Sequence, residues 1–101
     1  MRYSLHPEAE QDLRDAAEFY RQHASTALSQ SLFSEFERSV GVMLEHPGVG
    51  QLWRNGKRRY VMQRFPYSLI YSVSSEEICI LAVAHHSRRP GYWRGRQSLL
   101  R

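Results

Sequence analysis

Ile78-Cys79-Ile80-Leu81-Ala82-Val83-Ala84 is an apolar run with no polar alternation. A strand with one wet face alternates apolar and polar side chains, so this run reads as a strand covered on both faces, near the centre of a sheet. Working outward, the strands are Glu77 to Ala84, Tyr67 to Ser74 and Lys57 to Phe65, with a short extra strand around Leu52 to Arg54. The connections are Asn55-Gly56, Phe65-Pro66 and Ser75-Glu76. Of these, Asn-Gly between extended segments is the specific hairpin signal, because both residues accept positive φ. A central strand needs two neighbours, which places the opening strand Arg2 to Leu5 beside it.

Between the opening strand and the others the period changes to that of helices. His6-Pro7 starts a helix with proline at the first helical position, and Glu8 and Glu10 sit in the first turn where the helix dipole favours carboxylates. Ala9, Leu13, Ala16, Ala17 and Tyr20 recur along one face, and the helix is expected to end near Ala24. Ser25 or Thr26 caps a second helix whose stripe is Leu28, Leu32, Phe36, Val40 and Met43, widened by Phe33 and Leu44. Gly41 weakens it slightly, and His46-Pro47-Gly48 ends it. So short a link makes the two helices an antiparallel hairpin. The predicted class is α+β in two layers, β-α-α-β-β-β with an optional extra strand, the helical hairpin packed on one face of a mostly antiparallel sheet. One domain is expected over residues 1–101, with 88–101 as a basic, partly ordered tail.

Composition limits what such a domain can be. At 101 residues and 42% hydrophobic there is material for one core. A single cysteine, Cys79, excludes an intrachain disulfide, and no Cys/His cluster has ligand spacing, so neither metal nor cofactor is expected. This favours a reducing compartment, read as the cytoplasm. The start MRYSLHPEAEQ lacks a secretory signal, and no window approaches the roughly 20 apolar residues of a membrane span. Charge is divided unevenly. Residues 1–50 carry four arginines against eight carboxylates, a net of −4, and residues 51–101 carry ten basic side chains against two glutamates, a net of +8. Such a half accumulates near nucleic acid or an acidic protein, although it also serves as a plain solvated surface. Thirteen of the fourteen basic residues are arginine, Lys57 being the exception, and guanidinium forks suit contact faces better than ammonium groups do.

The candidate chemistry lies in the second half. His85 and His86 follow the apolar strand, where either could act as general acid or base, or simply bond the backbone at a strand end. Alternation puts them on opposite faces unless the chain turns there. The basic cluster Lys57, Arg58, Arg59 and Arg64 divides the same way, with Arg58 and Arg64 on one face and Lys57 and Arg59 on the other. It could hold phosphates, or protect an edge strand by charge. Tyr67, Tyr71 and Phe65 form either a stacking platform or part of the core. Arg88, Arg89, Tyr92 and Trp93 in the tail are read as exposed contact residues. Glu8, Asp12 and Asp15 share one helix face and are read as solvated. No glycine-rich phosphate loop, Ser-His-Asp arrangement or paired carboxylates with an evident job occur.

Several segments together resemble the RelE/ParE toxin superfamily. They are His6-Pro7-Glu8-Ala9-Glu10 with Asp12-Leu13 and Phe19-Tyr20, then Leu44-Glu45-His46-Pro47, then Arg64-Phe65-Pro66-Tyr67-Ser68-Leu69-Ile70-Tyr71, and Ile80-Leu81-Ala82-Val83-Ala84-His85. The resemblance spans nearly the whole chain. It implies the toxin of a type II toxin–antitoxin system, a cognate antitoxin that wraps it in a hetero-oligomer, and growth arrest when that antitoxin is lost. RelE-like members are ribosome-dependent messenger-RNA endoribonucleases, and ParE-like members are described as DNA gyrase inhibitors. For a nuclease the matching residues are His86, His85 and Arg64. In the related YoeB-like pattern the last strand ends in His-Tyr, which aligns with His86-Ser87, and a strand position often held by arginine is Ser68. The long first helix with Asp-Leu and Phe-Tyr is also more ParE-like. The resemblance therefore leans to a non-enzymatic gyrase inhibitor of the kind linked to plasmid stabilisation, with messenger-RNA cleavage on the ribosome as the alternative. A plain nucleic-acid-binding or adaptor domain would need only the basic half. An antitoxin segment with acidic and apolar side chains is expected to neutralise Arg58, Arg64 and Arg88 or Arg89, and no membrane partner is expected.

Overall fold

The computed structural model describes residues 1–89 and 91–96. Strand β1 (Arg2–Leu5) leads into helix α1 (Pro7–His23), α2 (Thr26–Glu45), and strands β2 (Gln51–Leu52), β3 (Arg58–Val61), β4 (Tyr67–Val73) and β5 (Glu77–His85). The local signals act as the sequence implies. His6 Nδ1 accepts from the Glu8 amide at the start of α1, and Ser25 Oγ accepts from the Leu28 amide at the start of α2. Asn55 and Gly56 both take positive φ, 57° and 73°, and close the β2–β3 hairpin through a short 3-10 turn.

The sheet runs β1-β5-β4-β3-β2, antiparallel except for the parallel pair β1–β5, and the helical hairpin carries the chain from β1 at one edge to β2 at the other. As the unbroken apolar run requires, β5 has a strand on either side, and Ile78 through Val83 are all buried. β3 stops at Val61, short of the expected Phe65, because the chain bends there: the Met62 amide bonds Tyr67 O and the Tyr67 amide bonds Phe65 O.

The two sheet faces hold different cores. Toward the helices, Leu69, Tyr71, Ile78, Ile80 and Val83 pack with Leu13, Leu32, Phe36, Val40 and Met43. Tyr67, Tyr71 and Phe65 belong to this core and present no stacking platform to solvent. A bulge in the β4–β5 ladder between Ile70 and Tyr71 skips Leu81, so Ile80 and Val83 share the helix face despite odd spacing. On the opposite face, Ile70 and Ala82 are covered by Trp93, with Trp53, Ala84 and Tyr92 around them. Trp93 is only 6% exposed, so the segment expected to be an exposed tail is, over residues 91–96, a packed turn. The indole covers apolar area that the sheet would otherwise show to water. Pro90 and residues 97–101 of that expected tail lie outside the described residues.

Glu35 is the least expected buried group. It sits in α2 at 3% exposure, where Arg38 binds both carboxylate oxygens at 3.2 and 2.7 Å and the Gln63 amide donates to Oε2 at 3.2 Å. It thereby ties the helix layer to the β3–β4 connection. The Arg38 bonds, helped by Gln63 and opposed by burial, hold its carboxyl below the ordinary glutamate value of 4.5. A carboxylate with a depressed folded pKa contributes stability that is complete above its unfolded value and lost as pH falls through the folded one. Glu35→Gln is therefore expected to cost on the order of 1–3 kcal/mol at pH 7, with the gap from the native protein narrowing toward pH 3. Denaturant titrations at the two pH values measure this, and a gap that widens in acid contradicts the assignment.

Candidate functional site

The face of the sheet away from the helices carries a cleft of about 120 Å³. Its floor is β4 and β5, at Ser68, Ile70 and Ala84, and its walls come from the β2–β3 hairpin and from the turns after β5. Small-molecule sites usually enclose about 300–1,000 Å³, so this is a surface notch for a side chain and not a substrate chamber.

Three polar side chains line up across it. Arg59 Nε donates to Ser68 Oγ at 3.2 Å, and Ser68 Oγ lies 3.1 Å from His86 Nε2. They meet because Ser68 pairs with Val61 on one side and Ala84 on the other, which sets the outer-face residues of β3 and β5 to either side of it. His86 is held from behind, its amide donating to Pro66 O at 2.9 Å. His85 points the other way, its ring edge-on to Tyr67 at 5.0 Å, as alternation requires. Both histidines nonetheless border the cleft, since the chain turns there with the Arg88 amide on His85 O. The Ser87 amide donates to His85 Nδ1 at 3.0 Å, and Ser87 Oγ lies 2.7 Å from the same nitrogen.

The aromatic rings of the cleft carry arginines. The Arg59 guanidinium carbon lies 5.2 Å from the Trp53 ring centre, and that of Arg88 lies 3.9 Å from the Tyr92 ring centre. Arg96 also lies over Tyr92, at 5.1 Å. Burial, with the nearby Asp12 charge, pushes the Tyr92 phenol up to about 12, so it stays a hydrogen-bond donor at neutral pH.

Asp12 is not the solvated surface group the helix face implied. Beyond Leu5, β1 no longer pairs with β5, and Asp12 takes over that open edge by accepting the Val83 amide at 3.1 Å. Arg96 Nη1 donates to Asp12 Oδ2 at 2.7 Å and to Leu81 O at 3.0 Å, and Tyr92 Oη donates to Asp12 Oδ2 at 3.2 Å. Burial opposes the charge on Arg96, but Asp12 outweighs it and the guanidinium's pKa is raised. Glu8 stands further off, 3.8 Å from Arg96.

Of the residues singled out from sequence, Arg59, Arg88, Arg89, Tyr92, Trp93, His85 and His86 border this one cleft. Lys57, Arg58 and Arg64 do not. Arg58 donates to the carbonyls of Gly48 and Gly50 at 3.3 and 2.8 Å and braces the chain before β2. Lys57 is half-buried at the hairpin base, and Arg64 is exposed on the β3–β4 connection. The contributions of Ser68, Trp53 and Arg96 were missed. The arginine richness of the second half was the signal that pointed to Arg96, and Ser68 stood out only as a departure from the nuclease pattern.

A sequence model described as "ParE toxin of type II toxin-antitoxin system, parDE" matches residues 3–90. The chain belongs to the ParE toxin family. Among solved structures it is similar to one titled "Chromosomal ParDE TA system from P. aeruginosa", with a TM-score of 0.75, 20% identity, and coverage of 84% of this chain and 95% of that one. At that identity the likeness establishes a shared ParE fold. No curated protein sequence matches. The match to the ParE family ends before Gly91, so the turn carrying Tyr92, Trp93 and Arg96 lies outside it. Among the described residues no helix is long and apolar enough to cross a membrane.

Proposed function

We propose that this ParE-family toxin acts in the cytoplasm, arrests growth when free of a cognate antitoxin, and does so by inhibiting DNA gyrase without cutting RNA. One observation carries the choice of target. Arg64, the arginine that matches the nuclease pattern, stands outside the notch that His85 and His86 border. A ribonuclease needs an acid–base pair and a cation free to meet a developing phosphorane. The family match and the net charge of +8 in residues 51–101 support a toxin held by an acidic antitoxin, as a hetero-oligomer whose charge matching speeds association and selects the partner.

The His86–Ser68–Arg59 line is the feature that favours messenger-RNA cleavage as a second reading, and one variant separates the two. His86→Ala is expected to keep growth arrest and supercoiling inhibition near the native level, because a docking surface spreads its energy over several residues. Loss of a general acid or base would instead cut cleavage by about 10²–10⁴-fold. Supercoiling assays and messenger-RNA cut mapping on the same cells, with folding checked by circular dichroism, decide the matter. A folded but harmless His86→Ala protein, beside a native protein that cuts messenger RNA on ribosomes, overturns the gyrase reading.

A further inference from the structure

The cleft is cationic and already stacked, and together these properties select a ligand. Arg59, Arg88 and Arg89 border it, and no carboxylate does among the described residues. Its aromatic side chains already have partners. Trp53 carries Arg59, Tyr92 carries Arg88 and Arg96, and Trp93 is buried on Ile70 and Ala82. Proteins that read single-stranded nucleic acid offer open ring faces on which bases stack, and gain much of their affinity from them. Here those faces are spent on orienting guanidiniums. A guanidinium lying on a ring is held in one plane and keeps N–H donors at its rim, the fork that a carboxylate matches.

We infer that this cleft is a carboxylate site for an acidic peptide segment of a protein partner, seating an aspartate or glutamate side chain between Arg59, Arg88 and Arg89. The inference rests on the reading of the chain as a toxin bound by an acidic partner protein. It adds where that acid sits and why a peptide is preferred to RNA. The notch of about 120 Å³ has room for one side chain. The Tyr92–Trp93 wall lies outside the span that matches the family.

The test uses two probes of equal charge on the whole purified protein. One is a capped pentapeptide, Glu-Leu-Glu-Leu-Glu, and the other is tetrauridylate without a terminal phosphate. Binding is followed by NMR at the arginine Nε–H and tryptophan indole N–H signals. The peptide is expected to bind about ten-fold tighter than the tetranucleotide, to shift the Arg59 and Arg88 signals, and to weaken about ten-fold in Arg88→Gln, the loss of one charge-assisted pair. Arg88→Lys, which keeps the charge but loses the fork and the stack, is expected to recover only part of that loss. Unchanged indole and core signals in the variants show that they fold. The inference is overturned if the tetranucleotide binds as tightly or tighter, if neither probe binds, or if the peptide is indifferent to Arg88→Gln. The titration needs neither gyrase nor ribosomes. A failed titration beside intact growth arrest therefore removes the cleft assignment alone, and a protein that binds the peptide but never arrests growth removes the functional reading alone.

Discussion

Asp12→Ala is expected to destabilise the protein by roughly 3–5 kcal/mol, the cost of removing one partner from a buried ion pair. Asp12 and Arg96 side chains are each 11% exposed and 2.7 Å apart, so the variant leaves a desolvated guanidinium without its counter-charge. It also orphans the Val83 amide and leaves the Tyr92 hydroxyl, which shares the same carboxylate oxygen, with only the Val83 carbonyl at 3.5 Å. In a domain of this size each kcal/mol moves the midpoint by about 4–8 °C, so thermal unfolding should fall by at least roughly 12 °C. Asp15→Ala is the control. Asp15 is exposed one turn away and takes a single bond from Gln11, and such surface changes stay within about 0.5 kcal/mol. Equal small effects for the two variants would show that the turn at 91–96 is held by Trp93 packing alone.

Leu81→Ala is expected to cost about 2–5 kcal/mol, the range for truncating a fully buried leucine. Leu81 has no exposed surface and lies where the β4–β5 ladder slips by one residue. Its carbonyl is also bonded by Arg96. A bulge fixed by hydrogen bonds cannot close over the lost methyls, which favours the upper part of the range. Urea unfolding measures it, and a change under about 0.5 kcal/mol would mean that the site collapses freely, against the close packing expected of a core strand.

Features written in short stretches of sequence were legible. Pro7, Ser25, His46-Pro47 and Asn55-Gly56 act on their immediate neighbours, and the helices and first hairpin lie where those signals put them. The unbroken apolar run located β5 because burial on both faces imprints itself on every residue of the strand. What failed was whatever depended on a partner far along the chain. Asp12 meets Arg96 across 84 residues, so its helical context shows only an acid at an exposed spacing. Trp93 lies in a stretch without periodicity, and nothing local says that the sheet's second face lacks a cover. Glu35 is answered by Gln63, 28 residues on, and from sequence alone looks like any other helix glutamate. The cleft was half legible for the same reason: the arginines were visible, but the rings that hold them were not assigned to them.

The parallel pairing of β1 with β5 has a consequence for the order of synthesis. Arg2 pairs with Glu77, so the first strand made waits for the last strand before it has a neighbour. At about 5–20 residues per second, the stretch from Arg2 to Glu77 takes roughly 4–15 s to make. Until then the helical hairpin lacks Ile78, Ile80 and Val83, which pack in one core with Leu13, Leu32 and Phe36, and the opening strand has both edges bare. β5 follows every other described strand along the chain, so a nascent chain that stops short of it cannot complete this sheet. Closure of the sheet, and of the arginine cleft on its outer face, is deferred until β5 has been made.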